Sequence, residues 1–217
     1  MTTELKEEIK EVYQLTEATY FGPSTRAVSI FGEIDRAMCL TTISQLLEMD
    51  TEKEDTIYIY INSDGGTLTD SLAIYDTIRM IQSRVVTIAI GSCASGALLI
   101  LLAGDTKISC PNTLYYYHQA IFPSDVFLSK HQATSVSNAY KIYQERYDSI
   151  LLDRTKMKKH LWNKHFKDST STYFTAKDAL KFNIIDMVNY PKTKKEIKEW
   201  LQEDEEHELK AQISNAG

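Results

Sequence analysis

The chain has 217 residues, 43% of them hydrophobic, which is enough to bury one substantial core as a single α/β domain. Its formal net charge of −6 argues against a nucleic-acid-binding surface. The longest apolar run covers residues 97–103 and is far too short to span a bilayer, so we expect no membrane contact.

The first 25 residues, 1–25, are interpreted as a polar leader. Residues 1–11 are charged and lack the apolar centre of a secretory signal, so we expect a cytoplasmic protein. The three cysteines, Cys39, Cys93 and Cys110, are far apart in the sequence, which favours reduced thiols. No histidine–carboxylate cluster or paired-cysteine motif suggests a metal site, and we expect no cofactor.

Residues 26–117 repeat a strand–helix pattern, which predicts stacked βαβ units. In the first informative unit, a β-rich run from residue 55 ends at Gly65 and Gly66, before apolar residues at helical spacing. Paired glycines let a backbone approach a ligand closely and present its N–H groups. A glycine pair is also typical of an ordinary turn, so the pair alone does not identify an oxyanion site.

A second strand–turn–helix unit covers residues 85–104. An apolar run gives way to small residues at 91–96 and then to a second apolar run, which predicts a buried strand that turns sharply into a buried helix at Ser95. Unpaired N–H groups and the dipole at a helix N-terminus favour developing negative charge. Ser95 is therefore a candidate nucleophile, and an N-capping serine in a tight turn explains this segment equally well.

A third segment, residues 112–119, is a β-branched and aromatic strand with His118 near its end. Most single histidines at strand ends are structural. A histidine that closes the strand after a candidate nucleophilic serine is nevertheless the natural general base. Cys93 is an alternative nucleophile two residues before Ser95, but its place among small residues indicates packing.

After His118 the sequence predicts a projection from the main domain. Residues 119–129 form an irregular, partly extended link, and residues 130–166 form a long, mostly helical segment whose tyrosines at 140, 143 and 147 are available for contacts. The chain returns to the core at Tyr173. We therefore expect a domain over 26–190 and a charged tail over 191–217.

In their order and spacing, these motifs resemble the ClpP family, the proteolytic subunits of the ATP-dependent Clp protease. The resemblance covers about residues 26–188 and rests on the segments 57–66, 71–78, 94–99, 110–113, 118–119 and 176–186. It implies a crotonase-like α/β fold of stacked βαβ units, with a protruding helical handle at about 119–166. It also implies a serine peptidase with Ser95 as nucleophile, His118 as general base, and the N–H groups of Gly66 and Gly96 as oxyanion donors.

The resemblance further implies a carboxylate that orients His118. The family places an aspartate shortly before the segment that matches residues 173–176, and Asp168 is the best candidate here. The alternative makes Asp168 a solvated loop charge and leaves a serine–histidine pair. Because a triad enzyme without its orienting carboxylate loses about four orders of magnitude in turnover, that alternative predicts a poor or silent peptidase.

The family's architecture implies the partners. In that family, two stacked seven-membered rings enclose the catalytic sites, and an AAA+ unfoldase threads unfolded polypeptide into the chamber, so the resemblance implies the same partners here. Tyr58 and Tyr60 match the aromatic residues that dock the unfoldase, and simple strand packing is an equally good interpretation of both. The chain has no Gly-x-x-x-x-Gly-Lys phosphate loop, so ATP hydrolysis must reside in the partner.

Three functions are compatible with these residues. The leading hypothesis is an active serine endopeptidase in a self-compartmentalised ring. The second is a weakly active or inactive structural subunit of a mixed ring. The third is a crotonase-like acyl-CoA enzyme. Such an enzyme also uses an oxyanion site at paired glycines, but it gives Ser95 and His118 no joint role.

Overall fold

The computed structural model describes residues 26–52, 55–120, 129–167 and 171–189. The strands in these ranges are β1 Ala27–Ile34, β2 Ile57–Gly66, β3 Val85–Ala94, β4 Thr106–Ser109, β5 Leu114–His118, β6 Ser171–Thr175 and β7 Met187–Val188. The helices are α1 Arg36–Glu52, α2 Leu68–Met80, α3 Gly96–Ala103, α4 Lys130–Thr155, α5 Lys159–Trp162 and α6 Ala176–Lys181, with a π-helical turn at Asn163–Lys167.

The strands belong to one sheet in which β3 has two successive neighbours. The parallel order is β1-β2-β3-β4-β7. Residues 86–89 of β3 pair with β4, whereas residues 92–94 pair with β5, which in turn pairs antiparallel with β6. This change of neighbour brings the C-terminal end of β3 beside the strand that ends in His118.

The main core lies between the sheet and the helices that follow its first three strands. All eight residues of α3 are buried, as expected of its uninterrupted small and aliphatic sequence. Alternate residues of β2 point to opposite faces, so Ile57, Ile59 and Ile61 are in this core. Tyr58 belongs to a smaller cluster with Val86 on the other face of the sheet.

The predicted α/β class, the strand–turn–helix units and the mostly helical segment over 130–166 are confirmed. Within that segment, the long helix α4 ends at Thr155 because Lys156 takes a left-handed conformation with φ 51°. The hydroxyl of Thr155 donates to the Leu151 carbonyl and accepts from the Met157 amide at 3.1 Å, which stabilises the turn that follows. A short helix and a π-helical turn then complete the segment.

Several predicted segments lie outside the described residues. They are the leader at 1–25, the tail at 191–217 and positions 121–128 of the predicted link. The domain boundaries therefore stay predictions. None of the helices in the described ranges has the length and apolar character needed to cross a bilayer.

The packing of α1 against the core generates a stability prediction. Leu46 is fully buried, and Leu180 on α6 is 42% exposed. Leu46→Ala leaves a cavity as well as losing apolar burial, so we expect it to lower the free energy of unfolding by about 2–5 kcal/mol. Leu180→Ala, the matched control, should change it by no more than about 1 kcal/mol. Denaturant titration at one protein concentration measures both, and equal losses would contradict the assigned core.

Candidate active site

Ser95 stands at the turn between β3 and α3 in a conformation that is rare for a residue with a side chain. Its φ is 51° and its ψ is −124°, and such backbone strain typically costs about 1–3 kcal/mol. The Ser95 amide donates to the Tyr116 carbonyl at 2.7 Å. Although Ser95 occupies the N-cap position of α3, its side chain makes no cap hydrogen bond. The capping interpretation therefore does not account for this serine.

Four of the predicted site residues line a single cavity. Its volume is about 550 Å³, and Ser95, His118, Gly66 and Gly96 all contribute to its surface. They come from three separate strand ends and the first residue of α3. The structure thus brings together a hydroxyl, an imidazole and two glycine backbones that are up to 52 positions apart in the sequence.

Glycine is required where the end of β2 packs against the Ser95 turn. Gly65 has a φ of 95°, and a Cβ there would lie 2.7 Å from Ser95 Cβ and 2.9 Å from the Gly96 nitrogen. A Cβ on Gly96 would overlap the hydroxyl of Ser71. Neither position can carry a side chain without movement, so the glycine pair at the end of β2 is in direct contact with the Ser95 turn.

His118 is the last residue of β5 and is partly buried. Its Nδ1 lies 2.6 Å from the carbonyl oxygen of Gln119. A carbonyl can only accept a hydrogen bond, so Nδ1 carries the proton and Nε2 is left as an acceptor. This is the tautomer that a general base for a serine needs. The residue directly opposite His118 on β6 is Ser171.

Asp168 lies outside the described residues, so its predicted role as the third triad member is untested. Among the residues that the structure does describe, the hydrogen-bond partner of His118 Nδ1 is a backbone carbonyl rather than a carboxylate. No side-chain pattern indicates this contact in advance, because every residue has a backbone carbonyl.

Cys93 is excluded as the nucleophile. Its side chain is fully buried within the core, and burial raises the pKa of its thiol far above the usual range. The reactive thiolate is therefore not formed at neutral pH. The packing interpretation of Cys93 accounts for its position.

Tyr58 and Tyr60 lie on the face of β2 that points away from the main core. Tyr58 is only 6% exposed and packs against Val86 and Ile88, and burial raises the pKa of its phenol. Tyr60 is half-buried at the edge of the same cluster. The packing interpretation fits Tyr58, whereas Tyr60 is accessible enough to contact another protein.

One side of the cavity is formed by α4. The sequence predicts this helical segment but not its place beside the site. Tyr140, Tyr143, Gln144 and Tyr147 line the cavity, and their spacing places them on one helix face. The spacing is visible in the sequence. The position of α4 over the Ser95 turn is not visible in the sequence, because that position depends on the path of residues 119–129.

Comparisons with known proteins agree with this geometry. The family model described as Clp protease matches residues 10–192. A Clp protease proteolytic subunit 3 from Synechococcus sp. (strain CC9902) is 30% identical over 167 residues, which cover 75% of this chain and 82% of the relative. A Clp protease proteolytic subunit from Carsonella ruddii (strain PV) is 34% identical over 175 residues, covering 77% and 85%.

A solved structure supports the fold. A mutant of ClpP1 from Listeria monocytogenes superimposes with a TM-score of 0.68 at 24% identity, covering 77% of this chain and 92% of that one. The family model and the two relatives, rather than this likeness of fold, disfavour the acyl-CoA alternative and indicate a peptidase. The chain belongs to the Clp protease family, as a proteolytic subunit of the ClpP type.

Proposed function

We propose that the protein is a serine-type endopeptidase, with Ser95 as the nucleophile and His118 as its general base. The observation that carries the proposal is the Ser95 turn. The Ser95 side chain makes no cap hydrogen bond to the buried helix α3, and Ser95 lines a cavity together with His118. A strained turn that leaves a serine hydroxyl uncapped in the same cavity as an imidazole is typical of a nucleophile and not of a structural serine.

The chemistry begins when a peptide carbonyl enters the cavity. His118 Nε2 accepts the proton of the Ser95 hydroxyl as Oγ attacks the carbonyl carbon. The oxygen that becomes negative is stabilised by the N–H groups of Gly66 and Gly96, and one such donor contributes about 3 kcal/mol to lowering the barrier. The imidazolium then protonates the leaving amine, and water hydrolyses the acyl-enzyme by the same route.

The orientation of His118 decides how fast this chemistry runs. The Gln119 carbonyl favours the productive tautomer, but it carries no full charge and stabilises the imidazolium less than a carboxylate does. We propose that Asp168, three positions before the first residue of β6, supplies the missing charge. With the carbonyl alone, the subunit would cleave slowly.

A weakly active structural subunit of a mixed ring is the second candidate. The neutral partner of His118 favours it, since such a site would depend on a more active subunit beside it. Cleavage by the purified chain that rises when an active relative is added would support this candidate. A purified chain that is fully active by itself would exclude it.

We also propose that the chain assembles into seven-membered rings, stacked in pairs, and receives unfolded polypeptide from an AAA+ unfoldase. Large apolar side chains are exposed on β1, α1 and α2, namely Phe31, Leu40, Leu47 and Met80. Residues 130–146 of α4 include no buried side chain, which is consistent with a handle that contacts a second ring.

Tyr60 is the stronger of the two candidate unfoldase contacts, because it is more exposed than Tyr58. The three free cysteines fit a reducing, cytoplasmic compartment.

Removal of the nucleophile tests the mechanism. Ser95→Ala should lower peptide cleavage by at least about 10³-fold, because no other group replaces the attacking oxygen. A fluorophosphonate should label the wild-type chain at Ser95, as mapped by mass spectrometry. Ser149→Ala, a change on the exposed surface of α4, is the control and should retain activity. A well-folded protein whose Ser95 is never labelled would overturn the proposal.

Asp168 is tested by an isosteric change. If its carboxylate stabilises the His118 imidazolium, Asp168→Asn should lower kcat by more than about 100-fold with little change in KM. Asp153→Asn, on the exposed side of α4, is the matched control. A loss smaller than threefold would assign the orientation of His118 to the Gln119 carbonyl alone.

The assembly is tested by its mass. Light scattering at micromolar concentration should give a mass of seven or fourteen chains. Leu40→Glu should shift this distribution towards smaller species, because it introduces a charge on an exposed apolar face. A wild-type protein that is monomeric under these conditions would contradict the ring.

A further inference from the structure

Helix α4 makes a direct hydrogen bond to the backbone of the candidate nucleophile. Tyr147 is buried, and its hydroxyl donates to the Ser95 carbonyl at 2.9 Å. The same carbonyl accepts from the Leu98 amide at 3.0 Å, within the first turn of α3. The Ser95 turn is therefore fixed both by its own helix and by a side chain 52 residues later.

The same turn of α4 also holds the strand that carries His118. The ring of Tyr117 stacks on Tyr147 with centroids 5.4 Å apart and planes at 3°. The Tyr117 hydroxyl donates to Asp148 Oδ1 at 2.8 Å. The pKa of Asp148 is raised by burial, and hydrogen bonds from Tyr117 and Gln144 oppose that rise.

Gln144 completes the contact on the other side of His118. Its amide nitrogen donates to Asp148 Oδ1 at 2.7 Å and to the Tyr117 hydroxyl at 3.0 Å. Its amide oxygen accepts from the Ala120 backbone at 2.6 Å. The residue before His118 and the second residue after it are thus both hydrogen-bonded to α4.

These contacts meet a physical requirement of the site. The strained φ of Ser95 persists only where the surrounding structure holds both ends of the residue. Its amide is held by β5 through Tyr116 and its carbonyl by α4 through Tyr147. A displacement of about 1 Å between reacting groups costs about 100-fold in rate, so the hold on both segments matters for turnover.

Resting on the proposed function, we propose that Tyr147, Gln144 and Asp148 form a positioning clamp on α4 that fixes Ser95 and His118 relative to each other. These three are positioning residues. Tyr147 acts on the serine turn, and Gln144 and Asp148 act on the segment around His118. The clamp makes the handle helix part of the catalytic apparatus, because one helical turn sets the distance between hydroxyl and imidazole.

Tyr147→Phe is the first test, because it retains the stacked ring and removes only the hydroxyl. We expect kcat to fall at least about tenfold with KM within twofold, and fluorophosphonate labelling of Ser95 to slow in the same proportion. The control is Tyr75→Phe, a partly buried tyrosine on α2 that does not line the cavity. It should leave both rates unchanged.

Two variants of Asp148 form the second test, which remains decisive if Tyr147→Phe does not fold. Asp148→Asn keeps an oxygen that accepts from the Tyr117 hydroxyl, so it should retain most of kcat. Asp148→Leu removes the acceptor and should lose activity as Tyr147→Phe does. Equal activity of the two Asp148 variants, or unchanged kcat and labelling in Tyr147→Phe, would overturn the clamp. Unlabelled Ser95 in the wild-type chain would instead overturn the proposed function, and the clamp with it.

Discussion

The hydrogen bond from the Ser95 amide to the Tyr116 carbonyl determines how the rest of the site is built. It forms because β3 pairs first with β4 and then, over residues 92–94, with β5. That change of neighbour makes the end of one parallel strand adjacent to a strand that ends two residues later in His118. The pairing of β3 with β5, rather than any loop, sets the approximate separation of Ser95 and His118.

Close backbone packing sets the finer geometry. The end of β2 touches the Ser95 turn at Gly65, and Gly96 packs against the hydroxyl of Ser71. Behind both segments, α3 is buried along its whole length, so the serine is attached to one of the least accessible parts of the molecule. A rigid support of this kind suits a functional side chain whose position must be held closely.

The limits of sequence reasoning follow from the range of the interactions. The strands, the glycine turns and the Ser95 turn are local patterns of apolar and small residues, and those predictions are confirmed. The Lys156 helix end depends on a left-handed residue that is not glycine, which no periodicity indicates. The Gln119 carbonyl is a backbone group without a sequence signature. The contacts of Tyr147 and Gln144 depend on how α4 folds back, so the helical spacing was visible but its target was not.

The burial of Cys93 has a practical consequence for spectroscopy of this chain. Cys93 is enclosed in the core, whereas Cys110 is partly exposed and near enough to Tyr60 to influence its titration. Because Cys39 is buried as well, an alkylating dye added to the native protein would attach at Cys110 before either of the other two cysteines. The emission of the dye would report on the face of the sheet that carries Tyr60.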